Sequence, residues 1–225
     1  MSASEVEART VATGTHGRYL LSVPPGEGRH PVLMGFHGYG ESAETHLEAL
    51  RSIPGAERWA LCSVQALHRF YERKTGGVVA GWMTSQDREL AIADNVAYVR
   101  AVAGAVLAEP WANGKLAFTG FSQGVAMAYR AAAFAGIEAA ALVALAGDVP
   151  PDVLATGMSG FPALLIGTGD GDAWYTPARL ADDRVQLEGL GLKPETLVFS
   201  GGHAWTDPFA LAAGEFLARA FGGPA

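Results

Sequence analysis

Cysteine is almost missing from this chain: Cys62 is the only one in 225 residues, so no internal disulfide can form. A lone thiol inside the apolar run 59–65 reads as a small buried hydrophobe, not as a nucleophile. Charge is also sparse at 17% of residues, and 16 bases against 23 acids leave a formal net charge of -7. That balance excludes nucleic acid and anionic membrane surfaces as partners, since both need a basic face. Long hydrophobic runs are lacking too. The longest, 139–147, has nine residues, far short of the roughly 20 that span a bilayer. No low-complexity tract, internal repeat or metal-ligand spacing of the H-E-x-x-H kind occurs, so no metal or other cofactor is implied. The opening stretch, 1–7, carries Glu5 and Glu7 where an export signal would carry bases and then an apolar run; a cytoplasmic protein is the expectation.

What is present is an apolar chain, 49% by count, of a length that suits one domain spanning 1–225. Strand-like runs at 31–37, 59–65, 115–121, 139–146, 163–168 and 196–200 alternate with helical ones at 43–53, 86–107, 123–134, 177–189 and 208–221. Runs with little polar alternation fit strands buried on both faces, and the alternation with helices predicts an α/β fold with a mostly parallel sheet. Residues 18–23 add a predicted antiparallel edge strand. In such sheets ligands bind beyond the carboxyl ends of the strands, so the loops there are the ones to search.

Gly120-Phe121-Ser122-Gln123-Gly124 falls at a strand-to-helix junction. The G-x-S-x-G pattern makes a nucleophile elbow, a sharp turn that exposes a serine hydroxyl. Chance placement of 29 glycines and ten serines yields about 0.2 such pentapeptides, so the motif needs its context. That context is a hydrolase order of Ser, Asp, His. His203, in Gly201-Gly202-His203-Ala204-Trp205 after the last strand, is the candidate general base, because an imidazole titrates near neutrality. His16, His30, His46 and His68 read as surface or loop residues. His37 reads as a buried histidine shaping its loop by a hydrogen bond. The acid comes from Gly169-Asp170-Gly171-Asp172, where pattern and spacing leave Asp170 and Asp172 both open. Oxyanion donors are expected from the backbone N–H groups of Gln123 and of Tyr39 in His37-Gly38-Tyr39-Gly40-Glu41.

The segments Pro31 to Gly40, Gly120 to Gly124 and Gly202-His203 together resemble the phospholipase/carboxylesterase family of small α/β-hydrolases, which includes acyl-protein thioesterases and small bacterial carboxylesterases. The resemblance runs from about Pro31 to the end. It implies an α/β-hydrolase fold without a large cap domain, a Ser-Asp-His triad and oxyanion donors at positions matching Tyr39 and Gln123. Some bacterial members are similar to G-x-x-D-x-W-Y-T in the acid loop, which 169–176 matches and which points to Asp172. Residues 70–88 depart from the better-known thioesterases and lack their W-F-D type segment. Trp82, Met83, Trp174 and Trp205, with Tyr39, are the candidate walls of an acyl or alcohol pocket.

The expected activity is hydrolysis of small or medium acyl esters through an acyl-enzyme. A long-chain thioesterase or lysophospholipase using the same site is the alternative, and a non-catalytic binding protein is a third reading from another class. The expected partner is a small-molecule ester, while oligomeric state is not legible.

Overall fold

A computed structural model describes residues 6–222; most of the acidic opening 1–7 therefore lies outside the described residues. The main sheet contains β1 (Arg18–Ser22), β2 (His30–Phe36), β3 (Ala60–Gln65), β6 (Ala112–Phe121), β7 (Ala141–Leu145), β8 (Ala163–Gly169) and β9 (Glu195–Phe199), while β4 (His68–Tyr71) and β5 (Val78–Gly81) form a separate hairpin. Across the sheet the order is β1-β3-β2-β6-β7-β8-β9. Only β1 runs antiparallel, against β3; every other pairing is parallel.

The continuous apolar character of the strands follows from burial on both faces. Along β2, Val32, Met34 and Phe36 pack with α2 (Arg88–Leu107) and α3 (Gln123–Phe134), whereas Leu33 between them packs with α1 (Ala43–Arg51) and α6 (Asp207–Phe221). Strand β3 repeats this, with Ala60, Cys62 and Val64 on the first side and Leu61 on the second. Burial pushes the pKa of the Cys62 thiol up, which keeps it a protonated, apolar side chain. Within the alanine-rich run 139–146, Ala141–Leu145 form strand β7, all of whose residues are buried. Helix α2 is long and apolar enough to cross a membrane by length and composition, with a mean hydropathy of 1.5. In this fold Ile92, Val96, Val99, Val102 and Val106 of that helix are buried against the sheet.

Three features depart from the sequence expectation. The hairpin β4-β5 carries no apolar period of its own, because β4 is exposed at every residue. Its turn is built by polar groups instead: Glu72 N–H donates to Gly77 O at 2.9 Å and Gly76 N–H to Glu72 O at 2.9 Å. A short helix, α4 (Pro151–Leu154), follows β7. Finally, His46 and His30, both read as surface or loop residues, lie in regular elements: His46 is on the inner face of α1 and 1% exposed, and His30 is half-buried on β2. The His46 ring fits where Gly35 has no side chain, and burial lowers its pKa to about 3, so it is neutral.

Arg130 of α3 is 1% exposed and forms a two-pronged ion pair with Asp152 of α4, at 2.8 Å for both contacts, while its Nη1 reaches Met83 Sδ at 3.4 Å. The guanidinium holds the Asp152 carboxyl below the usual aspartate range. A depressed carboxyl pKa contributes stability that is complete above about pH 4 and is lost as pH falls through the folded value. Asp152→Ala leaves the buried cation unpaired. Breaking a fully buried pair costs roughly 3–5 kcal/mol, and discounting for solvent around Asp152 leaves an expected loss of about 2 kcal/mol. Urea unfolding should show this as a lower midpoint with an unchanged slope.

Candidate active site

Ser122 sits between β6 and α3 with φ 52° and ψ -120°, a conformation L residues rarely adopt. The strain is held by its surroundings: Ser122 N–H donates to Leu145 O at 2.9 Å and Ser122 O accepts from Val125 N–H at 3.0 Å. The glycine two residues on is required by close approach. A Cβ at Gly124 would come within 2.0 Å of Phe36 O on the neighbouring strand.

His203 reaches Ser122 from the loop after β9. Its Nε2 lies 2.8 Å from Ser122 Oγ and its Nδ1 lies 2.7 Å from Asp172 Oδ2. The ionised carboxylate can only accept, so Nδ1 carries the proton and Nε2 faces the serine with a lone pair. Asp172 has a fully buried side chain, and its other oxygen accepts the N–H groups of Trp174 at 2.7 Å and Tyr175 at 3.0 Å. Burial alone would push the Asp172 carboxyl up; the Tyr175 and Trp174 amides and His203 outweigh it and hold the carboxyl below its usual range.

Asp170 does not reach His203. Its Oδ1 instead accepts Gly201 N–H at 3.0 Å, and Gly171 N–H donates to Gly201 O at 2.8 Å. The acid loop thus ties down the loop that carries the histidine. The approach is tight enough that a Cβ at Gly169 would lie 2.4 Å from Gly201 O.

The two expected oxyanion donors line the same cleft as Ser122 and His203. Gln123 is the first residue of α3, so its N–H has no intrahelical partner and stands at the positive end of the helix. Its side chain bridges away from the cleft, accepting Trp82 N–H at 2.7 Å and donating to Met83 O at 2.9 Å. The loop 37–40 is shaped by His37, which is wholly buried. Its Nε2 accepts Ala66 N–H at 3.0 Å, which leaves Nδ1 to donate to Gly38 O at 2.7 Å. Burial lowers the His37 pKa, in keeping with this neutral form.

The cleft has a volume of about 540 Å³. Of the aromatic and methionine side chains picked from the sequence as walls, Trp174 (75% exposed) and Tyr39 border it. Trp82 is in the core, with its indole N–H donating to His37 O at 2.8 Å and its ring edge-on to Phe36 at 5.5 Å; Met83 is buried beside Arg130. Trp205 lies on the far side of His203, in a second cavity of about 430 Å³, where its indole N–H donates to Ser52 Oγ at 3.2 Å. Both tryptophans brace the site from behind. The walls that sequence reasoning missed are Arg88, Arg179 and the 146–151 turn with Asp148. That turn follows a strand at its carboxyl end, the one signal that singles it out.

A strained serine hydrogen-bonded to a histidine that is fixed by a buried carboxylate, at the carboxyl edge of a mostly parallel sheet, defines a serine hydrolase of the α/β-hydrolase type. The chain belongs to the phospholipase/carboxylesterase family, whose model matches residues 21–162. The match includes Ser122 and ends before Asp172 and His203. Among solved structures, the chain is similar to the acyl-protein thioesterase 2 of Zea mays (18% identity, TM-score 0.70, covering 92% of this chain and 100% of that one). It is also similar to the Bacillus cereus carboxylesterase (17%, 0.66, 91% and 95%) and to TT1662 of Thermus thermophilus (21%, 0.66, 92% and 94%). At these identities the likeness is one of fold. A search of curated protein sequences returns no significant match.

Proposed function

We propose that the chain, as one domain over 1–225, is a carboxylester hydrolase that cleaves small or medium acyl esters through an acyl-enzyme. The observation that carries this is the unbroken hydrogen-bonded line from Asp172 through His203 to Ser122. In this reading Ser122 Oγ attacks the ester carbonyl carbon while His203 Nε2 takes the hydroxyl proton, and Asp172 stabilises the resulting imidazolium. The Tyr39 and Gln123 amides receive the developing oxyanion. Collapse expels the alcohol, protonated by His203, and leaves an acyl-serine. Water, deprotonated by the same imidazole, then attacks the acyl carbonyl and releases the acid with Ser122 restored.

Chain length is argued from the cleft. The cleft, of about 540 Å³, is apolar over much of its wall, but Arg88, Asp148 and Arg179 stand among the lining residues, and these charged groups favour a small or medium acyl group over a long alkyl chain that would have to pass them. The exposed rings of Trp174 and Tyr39 at the same cleft favour the long-chain thioesterase or lysophospholipase reading as the second choice. Hydrolysis of p-nitrophenyl esters from acetate to palmitate decides between them. We expect kcat/KM to peak at short or medium chains; a peak at palmitate would replace the first reading with the second. Absence of both turnover and fluorophosphonate labelling of Ser122 would refute both and leave a binding protein.

A further inference from the structure

Glu41 follows the oxyanion loop and has no part in the steps above. It is half-buried, and its Oε2 accepts Gly38 N–H at 2.7 Å. No ion pair among the described residues includes it. Withdrawing a carboxylate from water without a cation is costly unless its hydrogen bonds and neighbouring charges compensate. Burial raises the pKa of the Glu41 carboxyl, and the Gly38 N–H, together with His203 when its ring is protonated, offsets this only in part.

The backbone around it explains what this arrangement achieves. Gly38 N–H is tied to the Glu41 carboxylate, and Gly40 N–H donates to Ala80 O on β5 at 2.9 Å, with Ala80 N–H returning to Glu41 O at 2.9 Å. Of three successive amides the outer two are occupied, and the Tyr39 N–H between them makes no backbone hydrogen bond among the described residues. Strand β5 runs on into Trp82, whose N–H is held by the Gln123 side chain at 2.7 Å. The two residues expected to supply the oxyanion donors are therefore cross-braced through β5, and Glu41 closes the brace at the loop end.

We propose that Glu41 is a positioning residue for ester hydrolysis: its carboxylate fixes the loop that presents the Tyr39 amide and places a negative charge, additional to that of Asp172, on the second cavity it shares with His203. The other titratable groups around Glu41 are His46 and Glu48 of α1 and Asp207 of α6 across the second cavity, with the neutral His37 beneath the loop. None of these supplies a competing cation. The inference rests on Ser122 and His203 acting as proposed.

Three variants test it, read by kcat/KM for a short-chain p-nitrophenyl ester as a function of pH, with the folded fraction measured alongside. Glu41→Gln keeps an oxygen for Gly38 N–H but loses the charge. Its plateau should stay within several-fold of wild type, while the acid limb moves to lower pH, since the protonated imidazole loses a neighbouring anion. Glu41→Ala loses both functions; kcat/KM should fall on the order of ten- to a hundredfold, as a misplaced donor does, with the same movement of the limb. Glu41→Asp retains the charge and should retain the wild-type limb. Three wild-type limbs, or losses of kcat/KM that follow only the folded fraction, would overturn the proposal. Turnover surviving in Ser122→Ala would instead overturn the reading beneath it.

Discussion

Ser122→Ala is expected to lower kcat for ester hydrolysis by on the order of 10⁴- to 10⁶-fold, the size of effect seen when a triad nucleophile is removed. The reason is geometric. The Oγ lost is the nucleophilic atom that stands 2.8 Å from His203 Nε2, and among the described residues the other hydroxyls lining that cleft are the Tyr39 and Tyr175 phenols. Fluorophosphonate labelling of position 122, mapped by mass, should vanish in parallel. Stability should change by no more than about 1 kcal/mol, because one hydrogen bond is lost and the strained backbone is kept in place by its neighbours. Ester turnover that persists in a pure sample of the variant would remove Ser122 from the mechanism.

The second large effect separates two aspartates that stand two residues apart. Asp172→Asn should cost on the order of 10⁴-fold in kcat, because an amide facing Nδ1 donates where the carboxylate accepts and so turns the imidazole into the wrong tautomer. Asp170→Asn keeps an oxygen for Gly201 N–H and should cost less than about tenfold, arising from a looser histidine loop. Equal losses in the two variants would show that the loop tether matters as much as the carboxylate at His203. Folding should also report the Asp172 carboxylate through its pH dependence. The Asp172 carboxyl is held below its usual range, so its contribution to stability is whole above about pH 4 and drains as pH falls through the folded value. Comparison of wild type with Asp172→Asn by urea unfolding between pH 3 and 7 should show the difference narrowing toward the acid end.

Much of this architecture was open to reading before any coordinates. The run 31–37 predicts a strand because six apolar or small residues follow one another without polar alternation, and β2 (His30–Phe36) is buried on both faces for the same reason. The junction at Gly120 to Gly124 announces a turn because two glycines bracket a serine between a strand and a helix, and Ser122 takes the positive φ such an elbow needs. The edge strand β1 likewise falls where 18–23 predicts it. By contrast, the hairpin 68–81 has no hydrophobic period to announce it, since β4 is exposed at every residue and the hairpin is held by its antiparallel backbone ladder, its turn hydrogen bonds and the contact with the oxyanion loop at Ala80.

Sequence pattern therefore sufficed for the α/β class, for the strands of the main sheet and for the longer helices, because these depend on periodicity, while the β4-β5 hairpin and α4 escaped it. Which partner each side chain meets was decided only in three dimensions. Trp82 and Trp174 are both aromatic residues in loops near the sheet edge, yet one is wholly buried behind the oxyanion loop and the other is 75% exposed on the cleft. Asp170 and Asp172 share a glycine-rich turn, yet one holds a backbone amide of the histidine loop and the other the histidine. Residues distant in sequence, such as Gly40 and Glu41 against Ala80 or Gln123 against Trp82, meet because the separate β4-β5 hairpin lies against the loop after β2 and the start of α3. That adjacency comes from closing the whole core at once, and no local stretch of residues encodes it.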